Sequence, residues 1–496
     1  MLNALKNVAN FTVTENGALT HKTTNSAVLD MFAMGAAMRN RSPEDICLMF
    51  EKAFKEDPIL ALKCLFYIRD VRGGQGERRF FRTVINHMAN RKHMWDYIER
   101  NMELIPEFGR WDDLYAFADT SLQNSALKLI QNQLALDLTC KTPSLLAKWL
   151  KSENASSAET TRLGNITRKY LGMSHKQYRK TLAYLRDKIN IVERLMSENR
   201  WDEIEFDKIP SKAGLIYKNA FARRDIIKAK YEAFAKDENT KVNAATLYPY
   251  EVVEKALSYR NDVDRVMVNK YWDNLTDYFN GANFNALAVV DTSGSMHGTP
   301  INVAISLGLY CAEKAGGPFA KHYISFASRP QLIECEGVDF VDKVKRIYRT
   351  NLIDNTNIEA VFDLLLDTAK SNHCSQKDLP QNIIVISDME FDTATSGSSY
   401  DWRTHRYVKQ FGFSKAEADT VMEGIAKKWE AAGYKMPHLI YWNVDARQDN
   451  IPMLGNGPIS YVSGFSPSIF QTIMTGKTGY MLMMEKLNSD RYSVIH

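Results

Sequence analysis

Cysteine is scarce in this sequence, with 6 residues in a chain of 496. The six are scattered, without a C-x-x-C pair and without a histidine at metal-ligand spacing. This pattern argues against a disulfide framework and against the usual zinc sites. We therefore expect reduced thiols and an intracellular protein.

Targeting and membrane signals are also missing from the sequence. No charged-then-apolar segment opens the chain, and no apolar run reaches the roughly 20 residues that span a bilayer. We therefore expect a soluble, cytoplasmic protein without a membrane partner.

Catalytic motifs are missing as well. The phosphate-loop pattern G-x-x-x-x-G-K-[ST] does not occur, and Ser293 has no histidine in a nucleophile-elbow context. His297, four residues further on, is better placed to border a loop than to act as a base. The sequence therefore predicts a protein that is not an enzyme.

The net charge is small, at +4, but its distribution is uneven. Residues 151–200 carry 11 Lys and Arg against 5 Asp and Glu. A locally basic surface is the footprint expected of a protein that binds nucleic acid.

One loop combines a carboxylate with two hydroxyls. Asp291, Ser293 and Ser295 follow the apolar run 286–290 and precede a segment with helical spacing. The pattern predicts strand, loop and helix, with the loop at the carboxyl end of a buried strand, where open α/β sheets bind ligands. Oxygen atoms at alternating positions of a tight turn suit a hard cation such as Mg²⁺.

Further oxygen ligands are available elsewhere in the sequence. A second buried-strand pattern ends at Asp388, and Thr356 lies just before a helix-like stretch that begins at Glu359. The alternative is an ordinary turn, because Asp, Ser and Gly favour turns for reasons unrelated to metals. The set of five closely resembles the metal-ion-dependent adhesion site of von Willebrand factor A domains. That resemblance implies a Mg²⁺ site, or a site for another divalent cation, that a protein partner completes with an acidic residue.

The periodicity of the sequence changes near residue 280. Apolar residues recur at helical spacing before this point, whereas strands alternate with helices after it. We predict an α-solenoid of HEAT-like character in residues 1–280 and a doubly wound, Rossmann-like α/β domain in residues 281–496. The predicted strands of the second domain are 286–291, 322–327, 339–341, 383–387, 439–444 and 459–462.

A glycine-rich turn connects two predicted helices of the first domain. Arg69 and Arg72 precede the glycines of this turn, and Arg78 and Arg79 open the next helix. Backbone amides in such a turn can hold a phosphate next to a helix N-terminus. The alternative is a plain helix-helix connection with solvated arginines.

Basic residues interleave with aromatic residues in two further clusters, a mixture that can neutralise phosphates and stack on bases. The alternative for each cluster is an ordinary solvated helix face. The first contains Arg162, Arg168, Lys169, Tyr170, His175, Lys176, Tyr178, Arg179 and Lys180, and the second contains Arg223, Arg224 and Lys228.

Taken together, the glycine-rich segment, the helical body and the metal motif resemble the Ro autoantigen family. In that family a HEAT-like helical domain of the TROVE type is joined to a von Willebrand factor A domain. The chain is most similar to a poorly characterised relative of the family found in plants and large bacteriophages. The resemblance implies that the basic helical domain, which could close into a ring, binds small structured or single-stranded RNA. The alternative function is a protein adaptor or scaffold, including a structural component of a virus, without an RNA role.

Overall fold

The computed structural model describes residues 9–189, 191–326, 329–350, 357–392, 398–401, 406–409, 420–454 and 458–496. The chain divides into two compact units. The first, named here the sheet unit, comprises Met1–Cys64, Tyr248–Tyr259 and Leu275–Ser489. The second, the helical unit, comprises Leu65–Leu247, Arg260–Asn274 and Asp490–His496.

The sheet unit is built on a six-stranded sheet with the strand order β10-β9-β6-β3-β4-β5. All neighbouring strands are parallel except β4 and β5, which are antiparallel. Two antiparallel hairpins, β1–β2 and β7–β8, stand apart from this sheet. The strands are Phe11–Val13 (β1), Leu19–His21 (β2), Ala286–Asp291 (β3), His322–Phe326 (β4), Gln331–Glu334 (β5), Asn382–Ser387 (β6), Ser398–Asp401 (β7), Arg406–Lys409 (β8), His438–Asn443 (β9) and Ile459–Ser463 (β10).

The central strands are apolar throughout because both faces of the sheet are covered. Every residue of β3 and β6 is buried. Strands of a parallel sheet with helices on its faces have this composition. The division between the units falls within the helix Pro58–Arg69. The other described α-helices of the sheet unit are Ala27–Met34, Pro43–Glu56, Pro249–Leu257, Thr299–Lys314, Phe340–Thr350, Ile358–Ser371, Val421–Ala431, Ile469–Ile473 and Gly479–Leu487.

The described residues of the helical unit form helices and turns and contain no strand. Its α-helices are Arg78–Ala89, Trp95–Arg100, Ile105–Phe108, Gln123–Thr139, Leu146–Trp149, Ala158–Tyr170, His175–Lys188, Val192–Ser197, Ser211–Arg223, Asp225–Lys236, Asp262–Asp273 and Asp490–Ser493. Short 3₁₀ helices such as Trp111–Phe117 connect several of them. The predicted fold class, a helical region followed by a mostly parallel α/β sheet, is confirmed. The HEAT-like pairing and the ring stay predictions.

The packing does not follow the domain boundary expected at residue 280. Residues 1–64 belong to the sheet unit, where Thr20 Oγ1 donates to the carbonyl of Ile451 at 2.8 Å and Ser463 Oγ to that of Phe32 at 3.4 Å. Periodicity reports local structure only. It therefore detects the change from helices to strands but not which unit a helix packs against.

One predicted strand is wrong. Residues 339–341 lead into the helix Phe340–Thr350, and the strand that pairs with β4 is β5 instead. Asp339 explains the difference, because its Oδ1 accepts a hydrogen bond from the backbone N–H of Asp342 at 2.8 Å. This bond satisfies an N–H group at the start of the helix, as an N-cap does.

Across the part of the chain that the structure describes, no helix has both the length and the apolar character needed to cross a bilayer.

Asp30 is a buried carboxyl group in the helix Ala27–Met34 of the sheet unit. Its Oδ1 accepts hydrogen bonds from the backbone N–H and the hydroxyl of Thr24, both at 2.7 Å, and its Oδ2 accepts one from the Thr23 hydroxyl. These bonds favour the ionised form, but burial outweighs them and raises the pKa of Asp30 from 3.8 to about 6. The stability that this carboxyl group contributes is complete below its unfolded pKa and is lost as the pH rises through about 6.

We predict that Asp30→Asn stabilises the protein above pH 7. The neutral amide keeps an oxygen acceptor and avoids the cost of ionising a buried group, which is about 3 kcal/mol for a shift of this size. The thermal midpoint of the variant should exceed that of the wild type at pH 8, and the difference should shrink as the pH falls from 7 towards 4. A difference that does not depend on pH would contradict the assignment.

Candidate metal centre and nucleic-acid interface

The strand β3 ends at Asp291, whose side chain is wholly buried. Its Oδ1 accepts a hydrogen bond from the backbone N–H of Ser293 at 2.9 Å, and its Oδ2 accepts one from the hydroxyl of Ser387 at 2.5 Å. Burial, and then the nearby charge of Asp388, raise the pKa of Asp291 to about 7. A positive charge at this point would therefore stabilise the ionised carboxylate.

The two predicted hydroxyl ligands lie side by side. Ser293 Oγ and Ser295 Oγ are 3.0 Å apart on the loop that leads into the helix Thr299–Lys314. Adjacent ligands of an octahedral Mg²⁺ ion with bonds of 2.0–2.1 Å would be about 2.9 Å apart. The spacing of the two oxygens therefore fits a shared Mg²⁺ ion.

Asp388 follows the neighbouring strand β6 and is also wholly buried. Its Oδ1 accepts a hydrogen bond from the backbone N–H of Glu390 at 3.1 Å, and its Oδ2 pairs with Nη2 of Arg447 at 2.7 Å. Because β3 and β6 are parallel neighbours, Asp291 and Asp388 end at the same edge of the sheet. The fifth predicted ligand, Thr356, lies outside the described residues.

Arg447 is a residue of this edge that sequence reasoning missed. It follows β9, which also ends at this edge, and its Nη1 pairs with Oε2 of Glu15 at 2.5 Å. The only signal in the sequence was a polar stretch after a predicted strand. Arg447 therefore places a positive charge between one predicted ligand and a residue of the hairpin β1–β2 turn.

Among the described residues of this edge, carboxyl groups outnumber the positive charges that pair with them. Besides Asp291, burial raises the pKa of Glu390 to about 7 and raises the pKa of Asp445. Within the described ranges, no three His, Cys, Asp or Glu side chains are grouped to hold a metal ion. A cation site here would depend on the serine hydroxyls as well as the carboxylates, and this donor set fits a hard ion such as Mg²⁺.

The glycine-rich turn is closed by its own backbone. The amides of Gln75, Gly76 and Glu77 donate to the carbonyl oxygens of Tyr67, Asp70 and Ile68 at 3.0, 3.1 and 2.8 Å, respectively. Since these amides are occupied, the geometry favours the helix-helix connection over a phosphate cradle.

The four arginines around this turn have different environments. Arg69 is buried and its Nη2 pairs with Asp113 at 2.8 Å, so it does not face solvent. Arg72 is exposed and donates to the carbonyl of Glu107 at 3.2 Å, and Arg78 and Arg79 are exposed. Three of the four therefore remain accessible to a ligand.

Gly74 is required by the closure of this turn. A Cβ atom at this position would lie 2.1 Å from the carbonyl oxygen of Tyr67. We predict that Gly74→Ala destabilises the helical unit by about 2 kcal/mol, measured by urea unfolding. Gly172→Ala is the control, because Gly172 has a φ of +65° and open space around it, so its cost of about 1 kcal/mol is backbone strain alone. A Gly74 variant as stable as the control would contradict a closed turn.

Three residues of the first basic cluster have structural contacts. Arg168 Nε and His175 Nδ1 bind the same carboxylate, Glu153, at 2.7 and 3.0 Å. Tyr178 is fully buried and donates to the carbonyl of Lys151 at 2.8 Å. These side chains form internal contacts, and the buried ring of Tyr178 is not accessible for base stacking.

The remaining cations of this cluster are exposed. Lys169, Lys176, Arg179 and Lys180 face solvent and form no ion pair with a described residue. The last three belong to the helix His175–Lys188, which we name the basic helix. Arg162, in contrast, is neutralised by Glu159 at 2.7 Å and Asp119 at 2.8 Å.

An exposed aromatic residue on the basic helix was missed at the sequence level. Lys176, Lys180, Tyr184 and Lys188 are spaced four residues apart and so share one face. The Tyr184 side chain is half exposed, and Nζ of Lys188 lies 4.6 Å from the centre of its ring. This face combines positive charge with a surface on which a base can stack.

The second basic cluster lies at a helix junction. Arg223 ends the helix Ser211–Arg223, Arg224 stacks over Trp201 at 4.9 Å, and Lys228 lies one turn further on. All three cations are exposed and form no ion pair with a described residue. They therefore stay candidates for phosphate contacts.

Fold and sites together define a class of protein with a helical unit that presents basic faces and an α/β unit with an oxygen-rich loop at its sheet edge. The chain belongs to the family described as domain of unknown function DUF2828, which matches residues 14–126 and 133–280, more than half of its length. The domain of unknown function DUF7788 matches residues 285–491.

The chain is 29% identical over 513 residues to the uncharacterized protein L728 of Acanthamoeba polyphaga mimivirus, covering 95% of this chain and 86% of that protein. This relative is viral and uncharacterized, in agreement with the expected poorly characterised family, although the expected sources were plants and large bacteriophages. A solved structure to which the chain is similar is the Ro (RSR) protein of Deinococcus radiodurans, with a TM-score of 0.49 and 11% identity over 94% of this chain and 100% of that chain.

Proposed function

We propose that this is a non-catalytic RNA-binding protein of the Ro type, which binds single-stranded or small structured RNA on its helical unit. The observation that carries the proposal is the exposed face of the basic helix, where Lys176, Arg179 and Lys180 have no carboxylate partner among the described residues. Unpaired surface cations of this density are suited to neutralise several phosphates in a row.

The spacing along the basic helix supports contacts with an extended strand. Residues four apart on one face are separated by about 6 Å along the axis, so Lys176 to Lys188 covers about 18 Å. Tyr184 lies within this stripe, and base stacking on an aromatic side chain contributes about 1–3 kcal/mol per base. The face therefore offers both phosphate neutralisation and stacking, without a preference for sequence.

We predict that the variant Lys176→Gln, Arg179→Gln, Lys180→Gln binds a single-stranded RNA oligonucleotide at least about tenfold more weakly, because three phosphate contacts are lost. Its affinity should also depend less on salt, with the slope of log K against log salt reduced by about 2. Fluorescence anisotropy over a range of salt concentrations measures both effects.

The control matched for this charge change is Lys128→Gln, Lys236→Gln, Lys241→Gln, which removes three exposed lysines elsewhere in the same unit. It should change affinity and slope little. Equal losses of RNA affinity in the two variants would contradict an RNA-binding surface localised on the basic helix. If the wild-type protein shows no affinity for RNA and no nuclease-sensitive absorbance at 260 nm, the adaptor function is favoured instead.

For the sheet unit, we propose that Asp291, Ser293, Ser295 and Asp388, together with Thr356, hold Mg²⁺ or a similar ion. The raised pKa of Asp291 and the 3.0 Å hydroxyl spacing support this donor set. A bound ion would offer a Lewis-acidic position to an acidic residue of a protein partner. Arg447 opposes the ion, because its guanidinium already compensates the charge of Asp388.

We predict opposite effects on Mg²⁺ affinity, measured by calorimetry, for two variants of this edge. Asp291→Asn should abolish binding because it removes the central negative charge. Arg447→Gln should increase the affinity several-fold because it removes a competing positive charge, while Asp388 keeps its bond from the Glu390 amide. Asp367→Asn, an exposed acid, is the control for net charge. Unchanged binding in Asp291→Asn would contradict the site, and weaker binding in Arg447→Gln would contradict the competition.

A further inference from the structure

A pair of buried aspartates in the helical unit collects more positive charge than it can neutralise. Asp112 and Asp113 lie in the 3₁₀ helix Trp111–Phe117, and both are buried. Asp113 binds Nη2 of Arg69 at 2.8 Å with one oxygen and Nε of Arg82 at 2.6 Å with the other. Two guanidinium groups therefore share this one carboxylate.

The neighbouring carboxylate is surrounded in the same way. Asp112 lies 2.9 Å from Nη2 of Arg82, 3.1 Å from Nε of Arg110 and 3.7 Å from Nζ of Lys151. We name these six residues the cation cluster: Arg69, Arg82, Arg110, Lys151, Asp112 and Asp113. Its four cations and two carboxylates leave a net charge of about +2 at neutral pH.

A fifth cation adds to this excess. Arg78 lies four residues before Arg82 in the helix Arg78–Ala89, so the two side chains share one face of this helix. Burial lowers the pKa of Arg110, and the positive charges of Arg78 and Arg69 lower it further. Arg78 is exposed at the start of the helix Arg78–Ala89. The positive charge is thus not balanced within the contacts that the structure describes.

The cluster is accessible and its cations are held in place. The side chains of Arg82, Arg110 and Lys151 are 29, 27 and 23% exposed. The Arg110 guanidinium stacks at 4.1 Å over the ring of Trp149, and Lys151 Nζ lies 5.4 Å from the ring of Tyr115. Cations fixed by stacking and ion pairs lose little freedom when they bind a ligand.

We propose that the cation cluster, with Arg78, is a binding site for a phosphate monoester such as the terminal phosphate of an RNA strand. A monoester carries a charge of about −1.5 to −2 at pH 7, which matches the excess of the cluster, whereas an internal phosphodiester carries only one charge. Guanidinium groups also bind phosphate oxygens in a bidentate manner. The assignment to an RNA end rests on the proposed function, but the phosphate site itself does not.

The test compares full-length protein binding to oligonucleotides of one sequence that carry a 5′-phosphate, a 3′-phosphate or no terminal phosphate. Inorganic phosphate, followed by calorimetry, is the separate arm for the free anion. One terminal phosphate should raise the affinity at least about tenfold, because charged hydrogen bonds are strong contributors. Inorganic phosphate should bind alone and compete for this gain.

Arg78→Gln and Lys151→Gln are suitable variants because both groups are solvent-accessible, so the buried pair of Arg69 and Asp113 is kept. Each variant should reduce the gain from the terminal phosphate towards onefold. The triple glutamine variant of the basic helix is the matched control: it should weaken all oligonucleotides alike and leave the gain unchanged.

Two results would overturn the phosphate site. One is a wild-type protein with no gain from either terminal phosphate and no binding of inorganic phosphate, even though it binds RNA. The other is an increase in affinity from the terminal phosphate that is unchanged in both the Arg78→Gln and the Lys151→Gln variant. Binding of inorganic phosphate without any binding of RNA would keep the site and overturn the RNA function, so the two failures are distinguishable.

Discussion

The need to compensate buried carboxylates is the physical constraint on which both units depend. Removing an ionised carboxylate from water costs several kcal/mol unless other charges or hydrogen bonds replace the lost hydration. Asp291 in the sheet unit has an amide and a hydroxyl as its described hydrogen-bond donors, and its pKa is correspondingly raised to about 7. Asp113 in the helical unit has two guanidinium groups. Asp291 therefore has no ion-pair partner among the described residues, whereas the cation cluster has more cations than carboxylates. This difference in charge is the reason for which we propose a cation as the ligand of the first site and an anion as the ligand of the second.

Asp70 is a buried carboxylate whose charge is balanced by that of Arg491. Its two oxygens accept hydrogen bonds from Nε and Nη2 of Arg491 at 2.5 and 2.6 Å and from the hydroxyl of Tyr492 at 2.9 Å. One cation meets one buried carboxylate, so no charge remains for a ligand. The pair fastens the segment Asp490–His496 beside the glycine-rich turn, in which the amides of residues 75–77 are also occupied. The composition of this turn suggested a phosphate site, but its contacts are those of a structural connection.

Features of the fold and of the candidate sites could be predicted from the sequence where neighbouring residues encode them. The loop Asp291 to Ser295 was predictable because a buried strand, a turn and a helix are each encoded by neighbouring residues. Arg447, Arg82 and Lys151 were missed because their partners are distant in the chain, and no periodicity connects them. Arg110 is paired with nearby Asp112, but its stacking on Trp149 is a long-range contact that the sequence does not reveal. Tyr184 could have been found, since Tyr178, Leu182 and Leu185 recur at helical spacing as the buried face and leave Tyr184 on the opposite side. The composition of the cluster was interpreted as basic and aromatic, but Tyr178 is buried and the half-exposed Tyr184 lies outside the residues named from the sequence.

The helical unit presents two kinds of cation, and they suit different tasks. Lys176 and Lys180 on the basic helix are exposed and lack ion-pair partners among the described residues, so they attract any phosphate backbone in a manner that salt screens strongly. Arg82 and Arg110 are half-buried, stacked or paired, and fixed in orientation. Fixed guanidinium groups in a less polar setting are screened less and select for geometry as well as charge. Under the proposed function, the exposed lysines would therefore supply affinity for an RNA strand, and the fixed arginines would distinguish its end from its middle.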